Sequence, residues 1–116
     1  MFNITADKEL VFALEMAKRA MYATNINGMN TNNFTQNEID ENLHAYRIAV
    51  EYVSQIKGYI DYVLYNQITV INDEFDIAIQ ELNRYVFQIK GIVSNLVVAN
   101  EVLSFIEKII LVLAKV

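Results

Sequence analysis

The chain has 116 residues, 54% of them apolar, with no proline, no cysteine and a net charge of −5. That length predicts a single domain, residues 1–116, with a core of its own. The lack of proline suits an all-α fold, and the lack of cysteine excludes disulfides and thiolate metal sites. An acidic chain with scattered basic residues lacks the basic face that nucleic-acid binding requires.

Asp7, Glu9 and Glu15 interrupt the first fifteen residues, so no secretory signal is expected. Lys90, Glu101, Glu107 and Lys108 cut the apolar C-terminal half, which leaves no uncharged run of about 18 residues to span a bilayer. The default expectation is a soluble cytoplasmic protein.

In chain order, residues 6–23 read as a first helix. Thr5 is placed to cap it, Asp7 and Glu9 fall in its first turn, and Lys18 and Arg19 lie near its end. Its apolar side is Leu10, Val11, Leu14, Met16, Ala17 and Met21. The stretch TNINGMNTNNFT, residues 24–35, then breaks the pattern. Asn27-Gly28 signals a turn, and asparagine competes with helix through its own backbone bonds. A connector or a partner-binding loop both fit this segment.

A long second helix is expected over 36–66. Thr35-Gln36-Asn37-Glu38 matches a capping box, in which hydroxyl and carboxylate satisfy each other's backbone amides. Ile39, Leu43, Tyr46, Val50, Val53, Ile60 and Leu64 form one apolar strip, and Ala45, Ile48, Tyr52, Ile56, Tyr59 and Val63 a second beside it. So wide an apolar arc demands more than one neighbour, which makes this the expected central helix.

Asp73, Glu74 and Asp76 mark a third helix start, followed by the stripe Phe75, Ile79, Leu82, Val86 and Ile89. A short connection predicts that the second and third helices are antiparallel neighbours. Here the chain echoes itself. Tyr52-Val53-Ser54-Gln55-Ile56-Lys57-Gly58 recurs as Tyr85-Val86-Phe87-Gln88-Ile89-Lys90-Gly91. Two copies fall short of a repeat array, and either a duplicated helix or chance accounts for them.

From Ala99 on, the apolar face is Val102, Leu103, Ile106, Ile109, Ile110 and Leu113. It is rotated by upwards of roughly 90° from the stripe that runs through Val93 and Leu96. Either one long helix changes partners along its length or the helix breaks between positions 91 and 100, and Gly91, Ser94, Asn95 and Asn100 favour the break. The expectation is therefore an all-α, up-and-down bundle of three to four helices.

No set of residues names a chemistry. Glu41-Asn42-Leu43-His44 is half of a di-iron bundle motif, but His44 is the sole histidine, so a carboxylate-bridged metal site would have to be assembled across a dimer. The serines lie in no nucleophile elbow, Asp73-Glu74-Phe75-Asp76 is not a calcium loop, and the three glycines form no phosphate cradle. No catalytic residue, cofactor or resident metal is expected. Tyr59, Tyr62 and Tyr65 crowd one end of the second helix, as interface tyrosines do.

These features favour a non-enzymatic protein–protein interaction module: an adaptor, a secretion-type chaperone or an inhibitor or immunity protein, its acidity suited to a basic partner. The apolar surplus predicts a homo-oligomer whose interface draws on Ile48, Tyr59, Tyr62, Tyr65, Ile109 and Val112. Besides the metal-binding dimer, a peripheral membrane protein using its C-terminal helix is a further alternative, weakened by the few basic residues there.

Overall fold

The computed structural model describes residues 4–26, 34–66 and 73–115. They form four helices: α1 (Ile4–Thr24), α2 (Gln36–Asn66), α3 (Asp73–Gln88) and α4 (Leu96–Leu113). The fold is an all-α bundle, and none of these helices is long and apolar enough to cross a membrane.

The helix ends follow local chemistry. α2 begins on the expected capping box: Thr35 Oγ1 accepts from the Glu38 amide at 3.1 Å, and Glu38 Oε1 accepts from the Thr35 amide at 3.2 Å. α1 starts at Ile4, which puts Thr5 inside its first turn rather than at its cap. At its other end, the buried Thr24 hydroxyl donates to the Ala20 carbonyl at 2.8 Å.

α3 ends in a Schellman turn. The Gly91 amide donates to Val86 O at 2.9 Å, and the Lys90 amide to Phe87 O at 3.1 Å. Lys90 (φ 55°) and Gly91 (φ 72°) both adopt left-handed backbone. The side chain of Asn95 then caps α4 by accepting from the Val98 amide at 2.9 Å. The break in the apolar C-terminal half is therefore real and lies between Gln88 and Leu96.

Helix direction alternates along the chain. Lys108–Glu81 and Lys115–Glu74 ion pairs, at 3.4 and 3.3 Å, run α4 antiparallel to α3. Arg19, near the end of α1, donates to the Gly91 carbonyl at 2.7 Å, which brings the ends of α1 and α3 together. Glu38 and Asn42 of α2 share a cavity wall with Leu96–Val98, while Tyr59 and Tyr62 lie beside Ile110 and Ala114, so α2 and α4 run parallel.

The neighbour relations differ from the sequence expectation. α1 and α4 each pack against every other helix, whereas α2 and α3 do not meet among the described residues. The two are antiparallel but diagonal, and the central pair is α1–α4. The reason lies in α4, the most apolar helix of the four, whose seven buried residues spread over a wide arc. α3 offers one narrow stripe, Phe75, Ala78, Ile79 and Leu82, and can cover only one flank of α4. α2 covers the other.

α1 packs most extensively against α2. Small residues, Ala13, Ala17 and Ala20 of α1 and Ala45 and Ala49 of α2, are among the buried residues of both helices. Of the apolar side expected for α1, Leu10, Met16 and Ala17 are buried and Leu14 and Met21 pack against the core, while Val11 is about half exposed. On α2 the second expected strip faces the core: Ala45, Ile56 and Val63 are buried and Ile48, Tyr52 and Tyr59 pack against it, joined by Ala49 and by Val53 of the first strip, while Val50 faces solvent. Ile109 and Val112 require correction as interface residues. Both lie in the chain's own core with Ile106 and Leu113, because α4 is enclosed on three sides by α1, α2 and α3.

Candidate interaction groove

The charged positions come first, since chemistry would start there. Glu41 and His44 are exposed on the polar side of α2, and Glu41 Oε1 accepts from the Asn37 amide group at 3.0 Å. Among the described residues no cluster of three or more histidine, aspartate or glutamate side chains could hold a metal ion. One carboxylate is out of place: Glu9 Oε2 is buried and has no hydrogen-bond partner among the described residues. Burial pushes its carboxyl above the ordinary range, and nearby Asp76 raises it further. It lies against α3 rather than in a cleft, so it is a cost to the fold and not a site.

The remaining sequence candidates separate. Ile48 is half-buried against the core, and Tyr59 is partly buried. Tyr62 is 51% exposed and Tyr65 is 89% exposed. Tyr59 and Tyr62 join Gln55, Gly58, Ile110 and Ala114 around a groove of about 510 Å³ between α2 and α4. Tyr65 follows on the same side of α2 about one turn further, since positions three apart share a helix face. Leu111, 56% exposed, follows Ile110 on α4.

Helix spacing explains why these residues converge. Gln55, Gly58/Tyr59 and Tyr62 recur at three- and four-residue steps, as do Ile110 and Ala114. Because α2 and α4 are parallel, both rows descend together. Gly58 has no atom within 4 Å of the place a Cβ would occupy, so it opens the groove floor without being required by packing. Sequence reasoning missed Gly58, Ile110, Leu111 and Ala114. The α2–α4 pairing brings them together, and no local pattern announces that pairing.

Above the groove sits Tyr52, partly buried. Burial raises its phenol above the ordinary value, and the Glu107 and Glu51 carboxylates raise it further. These two acids, one from each helix, therefore crowd the same end. Gln55 donates to Glu51 at 3.3 Å, and neither carboxylate takes part in an ion pair among the described residues. Glu101 instead acts on Tyr85, on the α3 side of α4.

A second cavity of about 570 Å³ lies at the opposite end of the bundle, lined by Ala23, Ile26, Phe34, Glu38, Asn42 and residues 94–98. Its flanks Ile26 and Phe34 lead into residues 27–33, which lie outside the described residues. The expectation of a partner-binding loop falls on that same segment. Exposed Phe87, Ile92 and Val97 surround the α3–α4 turn nearby.

No protein-family model matches the chain, and neither the curated proteins nor the solved structures contain a match to it.

Proposed function

We propose that the chain is a non-enzymatic protein-interaction module whose docking surface is the groove between α2 and α4. One observation carries this reading: a mostly apolar, tyrosine-lined groove flanked by exposed Tyr65 and Leu111 lies between two parallel helices. Tyrosine suits such a place because it buries large area at small entropy cost while its hydroxyl stays wet. An adaptor, a secretion-type chaperone or an inhibitor could each use a surface of this kind.

Self-association loses part of its support, since Ile109 and Val112 are already enclosed by the chain itself. The reading accordingly puts a different protein ahead of a second copy. A membrane role for α4 is disfavoured in the same way, because its apolar face is the core. The test is site-directed photocrosslinking in the native host. A crosslinker at Leu111 or Gln55 should capture a partner that one at Ile77, an exposed residue of α3, does not. Equal capture from both faces would refute the assignment.

A further inference from the structure

The groove has a charge as well as a shape. At one end stand Glu51, whose carboxylate accepts from the groove-lining Gln55 at 3.3 Å, and Glu107, one turn before the groove-lining Ile110, with no cation paired to either among the described residues. At the other end α4 terminates, with no basic residue in its last turn, so its final carbonyls add negative partial charge beside Ala114. Nearby cations do little to offset this. Lys108 and Lys115 are paired with Glu81 and Glu74 on the α3 side. Arg47 precedes Glu51 by one turn without forming an ion pair with it, and Lys57 is rotated by about 100° from the Gly58 position. Between the two negative ends the lining is apolar.

Dimensions then select the occupant. From Glu51 to Tyr65 the α2 side runs about 21 Å, the length of a helix of about fourteen residues. Two parallel helices with an open furrow between them accept a third helix by ridge-into-groove packing, and the missing side chain at Gly58 lets it approach closely.

We propose that the groove binds a basic amphipathic helix of another protein, with aliphatic side chains over Gly58, Tyr62 and Ile110 and a Lys or Arg beside Glu51 and Glu107. This rests on the interaction reading above and adds the partner's chemistry to it. A second copy of this acidic chain would bring carboxylates rather than cations to the groove, so it is the poorer occupant.

The probe is a designed peptide of about eighteen residues with a leucine stripe flanked by lysine, measured by fluorescence anisotropy against the full chain. Peptides with glutamine or glutamate in place of lysine, and a scrambled lysine peptide without the stripe, complete the set. The lysine helix should bind about ten-fold tighter than the glutamine helix at low salt. That advantage should fade as salt is raised and should vanish in the Glu51→Gln/Glu107→Gln variant. Gly58→Leu, which meets open space and so leaves the circular dichroism spectrum unchanged, should weaken both by ten-fold or more. Equal binding of the lysine and glutamine helices, with Gly58→Leu still blocking both, overturns the basic partner and leaves the groove standing. Binding indifferent to Gly58→Leu, or equal binding of the scrambled peptide, overturns both readings, as does failure of every peptide to bind. A dimer in sedimentation that Gly58→Leu abolishes would make a second copy the occupant and overturn the basic helix.

Discussion

The echoed segment puts one sequence to two uses, and a matched pair of substitutions measures the difference. Gly58 lies inside α2 and Gly91 ends the turn after α3, although both follow Gln-Ile-Lys. Alanine at position 58 would keep the helical backbone and meet no atom within 4 Å. It should stabilise the fold by about 0.5–1 kcal/mol, the entropy that glycine forfeits in a helix interior. Alanine at position 91 must adopt φ 72°, which costs about 1–2 kcal/mol for a residue with a Cβ. That Cβ would also stand 3.3 Å from Arg19 Nη1, the group that donates to the Gly91 carbonyl at 2.7 Å. The two variants should therefore differ by roughly 1.5–3 kcal/mol with opposite signs. Urea denaturation followed by circular dichroism measures both. With a slope of about 1–1.5 kcal/mol per molar urea, Gly58→Ala should move the midpoint up by about 0.5 M and Gly91→Ala down by about 1 M. Two shifts of the same sign would refute the account of where the helices run and end.

Thr35→Ala should cost about 1 kcal/mol by removing the hydroxyl that accepts from Glu38, and an unchanged midpoint would mean that the cap is not formed. Lys90→Gly should stabilise by about 1 kcal/mol, since glycine takes φ 55° without the side-chain penalty; a loss of stability would contradict the Schellman geometry. Glu9 should make the fold more stable in acid. Its folded-state pKa is raised, so its contribution is fully present below the ordinary carboxylate value of 4.5 and is lost as pH rises through the folded value. Glu9→Gln should flatten that part of the stability–pH profile, and superimposable profiles would show the carboxyl to be solvated. His44→Ala should leave stability within about 0.5 kcal/mol of the parent; a bound transition metal lost in this variant would revive the metal-site alternative.

Different parts of the fold were legible for different physical reasons. The span of α2, 36–66, could be read to the residue because its start is set by a capping box that closes within four positions. The break before α4 showed as a phase slip between two apolar stripes, a property of the sequence itself. On α1 the buried Leu10, Met16 and Ala17 were legible, whereas Ala13 and Ala20, also fully buried, were not, because alanine contributes little to hydrophobic periodicity. Periodicity reports the width of an apolar arc and not the identity of what covers it. Hence α2 was expected at the centre, and Ile109 and Val112 at an interface, when α4 is the enclosed helix. Tyr59 and Tyr62 were visible as a cluster on one helix. Their partners Ile110 and Ala114, and the placing of Glu107 at the Tyr52 end of the groove, depend on a pairing 48 or more positions away, which no local pattern encodes.

The diagonal placement of α2 and α3 decides which helices share a groove in this fold. In a square bundle with consecutive helices adjacent, each helix is flanked by two others and the grooves between neighbours are alike. Here, among the described residues, α2 touches only α1 and α4, and α3 lies on the far side of that pair. Among the described residues no helix lies across the outer furrow between α2 and α4, and α2, with 31 residues against 18 in α4, extends the furrow with Tyr65. A chain that needed only to close its core could have used a shorter α2 with polar residues at 58, 62 and 65. Glycine at 58 gives up helix stability, and tyrosines at 62 and 65 expose aromatic surface. The third helix proposed above, lying between α2 and α4, would account for both.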